Sequence, residues 1–193
     1  TAGYPHLNST LEVMESLQKN GADIIELGMP YSDPLADGEV IQNSSMIALS
    51  NGMTIDTLFD QLATMRSSIH IPVVLMGYMN PILQYGFEAF CKKAKAVGVD
   101  GFILPDLPML EFENVYGAIL EQNNLDFIFL VTPETPEARL RKLDALSSGF
   151  LYAVSASATT GTAKDFSKVA IYLERLKSMQ LKNPILVGFG IKD

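Results

Sequence analysis

Residues 24–38 read IIELGMPYSDPLADG, an apolar run that ends in a glutamate and passes into a loop rich in turn-forming residues. Ionised carboxylates are rarely left in an apolar strand, because burying an unpaired charge is costly or shifts the pKa of the group. We therefore expect Glu26 to lie at the open mouth of a sheet or barrel. Asp37 comes from the following loop and could face the same space. Two carboxylates in different surroundings suit acid–base chemistry, so both are candidate catalytic residues.

Outward from this stretch, short apolar runs alternate with longer amphipathic segments. Continuously apolar runs are typical of buried parallel strands. The alternation of strands and helices implies right-handed crossovers and a parallel sheet, which we assign to one domain over residues 1–193. The predicted strands are Asp23–Leu27, Pro72–Gly77, Gly101–Pro105, Phe127–Val131, Phe150–Val154 and Pro184–Phe189.

An open doubly wound sheet and a TIM (β/α)8 barrel both fit this pattern. The barrel is favoured because the unusual residues fall at or just after strand ends, where barrels build their active sites. A nucleotide-binding sheet would more often show GxGxxG after its first strand, and none is present. A barrel needs eight strands and six can be identified, so we expect it to be incomplete, with flanking segments outside this sequence.

Composition narrows the class of protein. The 193 residues are 48% hydrophobic and 19% charged, as in a globular domain. A net charge of −8 disfavours a nucleic-acid surface, although backbone N–H groups at helix starts can still bind phosphate. The single cysteine, Cys91, is interpreted as a core residue and fits a reducing compartment such as the cytoplasm. No apolar run approaches the roughly 20 residues of a membrane-spanning helix.

The loop motif resembles the tryptophan synthase alpha chain family, whose signature ELG-x-P-[YF]-SDPLADG matches residues 26–38. The resemblance covers essentially the whole chain, and it implies that the first strand and the last βα unit of the barrel lie outside this sequence. It implies a carbon–carbon lyase that cleaves indole-3-glycerol phosphate to indole and glyceraldehyde 3-phosphate in tryptophan biosynthesis. Further matching segments are MGYMNP at 76–81, GVDG at 98–101, PDLP at 105–108, YAVS at 152–155, TG at 160–161 and GFGI at 188–191.

The resemblance also implies the site residues. The two catalytic carboxylates of the family correspond to Glu26 and Asp37. Ala158 stands where the family usually has glycine, which puts the mobility of that loop in question. The candidate substrate-binding residues, which line the site or hold phosphate, are Tyr152, Thr160, Gly161 and Gly190.

The chemistry that the resemblance implies needs an electron sink. Protonation of the indole carbon that bears the side chain creates an indolenine, so neither a Schiff-base lysine nor a metal is required. In agreement, no lysine ends a strand, and His6 and His70 show no ligand spacing. Glu26, with a pKa raised by apolar neighbours, suits both proton transfers, and Asp37 can accept the indole N–H. No cofactor is expected in this chain, and pyridoxal phosphate is expected on the beta chain.

Several alternatives stay open on the sequence. Asp37 could instead be the N-cap of a helix over Gly38–Leu49, Asp33 is more simply a turn former, and Tyr152 could fill the barrel interior. The leading function is a lyase that hands indole to a beta-chain partner in an alpha–beta heterotetramer. The alternatives are a stand-alone lyase that releases indole, a non-catalytic phosphate-binding regulatory barrel, and another phosphate-sugar barrel. The expected docking loops are Pro30–Pro34, Met79–Pro81 and Pro105–Pro108.

Overall fold

The computed structural model describes residues 1–154 and 166–188. The chain divides into two compact units, Thr1–Asp126 and Phe127–Asp193. Wherever the register between neighbouring strands is defined, the strands run parallel, as the sequence predicts for an α/β protein. The assignment of residues 1–193 to a single domain stays a prediction.

The first sheet has the strand order β1-β2-β3-β4. Its register places Glu26 of β1 opposite Val74 of β2, and Leu75 of β2 opposite Phe102 of β3. A 3-10 turn over Met65–Ser67 precedes β2. The strands and helices are α1 (Thr10–Lys19), β1 (Ile25–Gly28), α2 (Glu39–Ser50), α3 (Ile55–Leu62), β2 (Val73–Met76), α4 (Met79–Tyr85), α5 (Phe87–Ala96), β3 (Gly101–Ile103), α6 (Met109–Glu111), α7 (Gly117–Gln122) and β4 (Asp126–Phe127). A π-helical turn (Phe112–Tyr116) connects α6 to α7.

A line of aromatic rings forms the centre of the first unit. Phe90 of α5 packs against Phe59 of α3 and Phe102 of β3, with ring centroids 5.2 Å apart in both pairs. All three side chains are fully buried. Cys91, beside Phe90, is also fully buried, and burial raises the pKa of its thiol to about 12. The prediction that Cys91 is a core residue is therefore confirmed.

A charged cluster ties together the starts of β2 and β3. The Arg66 guanidinium pairs with the carboxylate of Asp100, which also accepts the backbone N–H of Val73 at 2.7 Å. The cluster therefore fixes the residue that enters β3 to the first residue of β2. Arg66 donates in addition to the backbone carbonyls of Ile69, Ile71 and Gly98.

The second unit contains a sheet of order β5-β6-β7. Asp144 fastens the start of β7, because its carboxylate accepts the backbone N–H groups of Lys182 and Asn183 at 2.6 and 2.9 Å. These bonds lower the pKa of Asp144, although burial opposes them. The elements are β5 (Leu130–Val131), α8 (Glu137–Leu146), β6 (Leu151–Val154), α9 (Phe166–Ser178) and β7 (Ile185–Gly188). In the part of the chain that the structure describes, no helix has the length and apolar character needed to cross a bilayer.

One predicted strand differs from the structure. The run Phe127–Val131 is not a single strand but divides between β4 and β5. The hydroxyl of Ser148 accepts the N–H of Phe127, and the hydroxyl of Ser147 accepts the N–H of Phe129 and donates to the carbonyl of Phe127. Side-chain oxygens thus satisfy backbone groups that a continuous ladder would otherwise pair.

Candidate active site

Glu26 lies in the middle of β1. Successive side chains of a strand point to opposite faces, so Glu26 is exposed while Ile25 and Leu27 on either side of it are buried. The sequence led us to expect apolar neighbours around its carboxylate, and the structure instead leaves this side chain exposed. In the sheet it is in register with Val74 of β2.

Asp37 lies over the ends of β1 and β2. It lines a small cavity of about 30 Å³ together with Gly28 from the end of β1, Met76 from the end of β2, and Tyr78. The carboxyl end of a parallel sheet is where α/β barrels bind their substrates. The structure therefore places Asp37 at the edge of the sheet where the sequence predicts the site.

The helix-cap alternative for Asp37 is not observed. Helix α2 begins at Glu39, and Gly38 is its N-cap, without a side-chain capping bond. The Asp37 backbone carbonyl accepts the Gln42 side-chain amide at 2.8 Å, which leaves the carboxylate for other contacts. Burial raises the pKa of that carboxyl, and a hydrogen bond from the Tyr78 hydroxyl opposes the rise.

Tyr78 makes several of the contacts in this region. The sequence motifs did not single it out as a site residue. Its hydroxyl accepts the backbone N–H of Ala36 at 3.0 Å, and its ring packs on Tyr31 with centroids 5.4 Å apart. Burial and the nearby carboxylates of Asp37 and Asp106 raise the pKa of Tyr78 to about 12. The phenol therefore stays protonated and can donate a hydrogen bond throughout the physiological range.

Asp106 is the second residue that joins strand-end loops. Both of its carboxylate oxygens accept the backbone N–H of Met79, the first residue of α4, at 3.1 and 3.0 Å. This carboxylate caps α4 from the loop after β3, since Tyr78 at the N-cap position makes no such bond. The sequence marked Asp106 as an unusual strand-end residue, but its partner is not apparent from spacing.

A larger cavity of about 170 Å³ is also present in the first unit. Tyr78 contributes to the walls of both cavities. The other walls of the larger cavity are mostly apolar and come from Met29, Pro30, Tyr31, Leu49, Met53, Thr54, Ile55, Leu58 and Pro81.

Tyr152 belongs to the second unit and lies on β6. It is almost fully buried, and its ring and hydroxyl pass so close to Gly188 of β7 that a Cβ there would come within 2.2 Å of the hydroxyl oxygen. Glycine is therefore the residue that leaves room for this tyrosine. The role of Tyr152 as a residue that lines the site stays a prediction. Thr160, Gly161 and Gly190 lie outside the described residues.

The described residues contain no group of three or more histidine, cysteine or acidic side chains that could hold a metal ion. The chemistry available in the first unit is that of the Glu26 carboxylate on β1 and of the Asp37 carboxylate and Tyr78 phenol at the ends of β1 and β2. Carboxylates of this kind can transfer protons and accept hydrogen bonds from a substrate N–H.

Comparison with known proteins identifies one family. All residues, 1–193, match the family model described as tryptophan synthase alpha chain. A curated protein of that name from Flavobacterium johnsoniae is 52% identical over 194 residues, covering 100% of this chain and 77% of its own length. Another from Parabacteroides distasonis is 50% identical and has 76% of its length covered.

Solved structures lead to the same family. The tryptophan synthase subunit alpha of Legionella pneumophila matches with a TM-score of 0.88 and 36% identity, over 99% of this chain and 70% of that chain. A tryptophan synthase complex from Pyrococcus furiosus matches with a TM-score of 0.86 and 37% identity, over 98% of this chain and 75% of that chain. The predicted fold class, a TIM (β/α)8 barrel, is confirmed by these matches.

Proposed function

The chain belongs to the tryptophan synthase alpha chain family, and on that premise we propose which of its residues perform the reaction. It is the lyase subunit that cleaves indole-3-glycerol phosphate to indole and glyceraldehyde 3-phosphate in tryptophan biosynthesis. The observation that carries the residue assignment is the position of Asp37. Its carboxylate stands over the ends of β1 and β2, faces the Tyr78 hydroxyl and takes no part in capping α2.

Glu26 is the proposed proton carrier. A proton added to the indole carbon that bears the side chain makes the ring an iminium electron sink. The side-chain carbon attached to the ring carries a hydroxyl group, and loss of the hydroxyl proton turns this side-chain carbon into the aldehyde. The electron pair of the breaking C–C bond returns to the ring and restores its aromaticity. One proton is gained at carbon and one is lost from oxygen, so a single carboxyl group on β1 can serve both transfers.

Asp37 is the proposed acceptor of the indole N–H. Positive charge develops on the ring nitrogen when the ring is protonated, and an anion fixed beside it stabilises that charge most in the transition state. The partial burial of Asp37 strengthens this interaction, because fewer water molecules compete for the charge. The side chain must be ionised to act, which the Tyr78 hydroxyl favours by donating to it.

Substrate binding is assigned to residues of the second half of the chain. We propose that backbone groups at Gly161 and Gly190, beside Thr160, hold the phosphate without a basic cluster. Tyr152 is proposed to line the site, and its ring is packed closely on Gly188 of β7. The chain itself is proposed to need no cofactor.

A beta chain that consumes indole is the proposed partner, in an alpha–beta heterotetramer that works in the cytoplasm with pyridoxal phosphate on the beta chain. The Pyrococcus furiosus match, a tryptophan synthase complex, supports this proposal. Of the expected docking loops, Met79 and Leu107 are buried and can contribute little to a surface. Leu35, next to the first loop, is 87% exposed and is the best candidate for a contact.

The deciding assay measures indole released from indole-3-glycerol phosphate by the full-length protein, with and without a beta chain. We expect indole to form, and to form faster when the beta chain is present. Equal rates would favour the stand-alone lyase. Substrate binding without any indole, in both conditions, would favour the regulatory barrel and overturn the proposed roles of Glu26 and Asp37.

A further inference from the structure

Tyr78 links the loop that carries Asp37 to the rest of the first unit. Tyr78 is 5% exposed, its hydroxyl accepts the backbone N–H of Ala36 at 3.0 Å, and the residue lines the small cavity together with Asp37. A phenol has one donor hydrogen and can also accept. Because the oxygen accepts from Ala36, the hydrogen is available to the carboxylate.

The position of Tyr78 is itself fixed from two sides. The next residue, Met79, is held by its backbone N–H to both oxygens of Asp106, in the loop after β3. The ring packs on Tyr31, whose own hydroxyl accepts a hydrogen bond from the Asn80 side chain at 3.0 Å. Tyr78 is therefore held by the contact of its ring with Tyr31 and by the hydrogen bonds of the residue that follows it.

The backbone beside Tyr78 approaches the same loop closely. A Cβ at Gly77 would come within 2.5 Å of the terminal methyl of Met29, so a larger residue would force that side chain to move. Three strand-end loops are thus connected in series, from Asp106 through Met79 and Tyr78 to Asp37. These connected contacts restrict the orientation of the Asp37 side chain more than the loop Pro30–Gly38 would on its own.

We infer that Tyr78 is a positioning residue for the reaction, and that its hydroxyl fixes the orientation of the Asp37 carboxylate toward the substrate N–H. The inference rests on the proposed function, since the role of Asp37 is itself proposed. Tyr78 acts through Asp37 and is not assigned any contact with the substrate.

The substitution Tyr78→Phe tests this directly, because it keeps the buried ring and its packing on Tyr31 and removes only the hydroxyl. In the full-length enzyme with its beta chain, we expect kcat for indole formation to fall about tenfold, with a smaller change in KM. The matched control is Tyr172→Phe, which removes a buried hydroxyl that donates to the Val131 carbonyl at 2.9 Å. The control should leave kcat within about twofold of the parent.

A double-mutant cycle separates positioning from a general loss of packing. If the Tyr78 hydroxyl works through Asp37, then Tyr78→Phe should cost little in a background that already carries Asp37→Asn. Multiplicative losses in kcat would mean that Tyr78 acts independently and would overturn the inference. An Asp37→Asn enzyme as active as the parent would instead remove the proposed function, whatever Tyr78 does.

A second measurement does not depend on activity. The pH titration of the Asp37 side-chain carbon can be followed by carbon-13 NMR in the parent and in Tyr78→Phe. Loss of a hydrogen bond to the ionised form raises the pKa of a carboxyl, so the midpoint should move to higher pH. An unchanged midpoint in a folded variant would show that the hydroxyl does not act on Asp37.

If Tyr78→Phe does not fold, 3-fluorotyrosine at position 78 keeps the shape of the side chain and makes the phenol a stronger hydrogen-bond donor, so the midpoint of the Asp37 titration should move to lower pH.

Discussion

The starts and the ends of the strands in the first unit use charged side chains in two different ways. At the starts, the Arg66 guanidinium is occupied by three backbone carbonyls and the Asp100 carboxylate. At the ends, Asp37 is partly buried, its carboxyl faces one hydroxyl, and burial raises its pKa. A cluster whose bonds are all made contributes stability, whereas a desolvated carboxylate beside a cavity costs stability and is available to a substrate.

This contrast predicts that substitution of Glu26 or Asp37 changes activity and that substitution of Arg66 changes stability. Both sets of residues are polar and come from neighbouring elements, so the distinction rests on their contacts and not on residue type. Each of the following variants tests one side of the comparison.

The largest effect is expected from Glu26→Gln. The amide keeps the shape of the side chain and cannot carry a proton, so turnover should fall by about 10²–10⁴-fold while substrate still binds. Single-turnover indole formation and equilibrium substrate binding would measure the two quantities. Turnover within about tenfold of the parent would remove Glu26 from the chemistry.

Arg66→Ala is expected to act on stability alone. It leaves the Asp100 carboxylate and three carbonyls without their donor, so we expect the free energy of unfolding to fall by about 2–3 kcal/mol. Denaturant unfolding would measure this, and kcat of the folded fraction should be unchanged. Lys92→Ala is the control, because it breaks the exposed pair with Glu88 and should leave the unfolding free energy nearly unchanged. A loss of kcat in Arg66→Ala without a loss of stability would contradict the division between strand starts and strand ends.

A smaller effect is expected in the pH dependence. The pKa of Asp37 is raised above its ordinary value of 3.8 by burial, so activity should fall with decreasing pH at a midpoint above that value. The folded state then binds a proton more tightly than the unfolded state does. Ionisation of Asp37 therefore lowers stability as pH rises through the window between the two pKa values. A kcat profile that stays flat down to pH 4 would show that the ionised form of Asp37 is not required.

The sequence was sufficient for most of the strands, but not for the surroundings of the two candidate carboxylates. The β1 and β2 predictions agree with the structure to within a residue or two at each end, because buried parallel strands are continuously apolar. The exposure of Glu26 was missed, since an apolar run does not reveal which face of the strand is covered. The contact between Tyr78 and the loop of Asp37 joins residues about forty positions apart, and no local pattern encodes it.

Helix α2 shows the same limit. Its position was predicted to within one residue at each end, yet it buries Ser44, Ser45 and Ala48 and exposes Val40 and Met46. A rule that places apolar residues inward would orient this helix wrongly. The orientation depends on what the helix packs against, and that is set by the whole fold.

The most direct test of the account is Asp37→Asn, with kcat and unfolding free energy measured on the same preparation at neutral pH. If the carboxylate is a functional group held at some cost to the fold, kcat should fall by about 10²-fold while stability is unchanged or higher, because a partly buried charge has been removed. If stability falls and kcat is retained, Asp37 is a structural residue and the assignment of the active site to the ends of these strands is wrong.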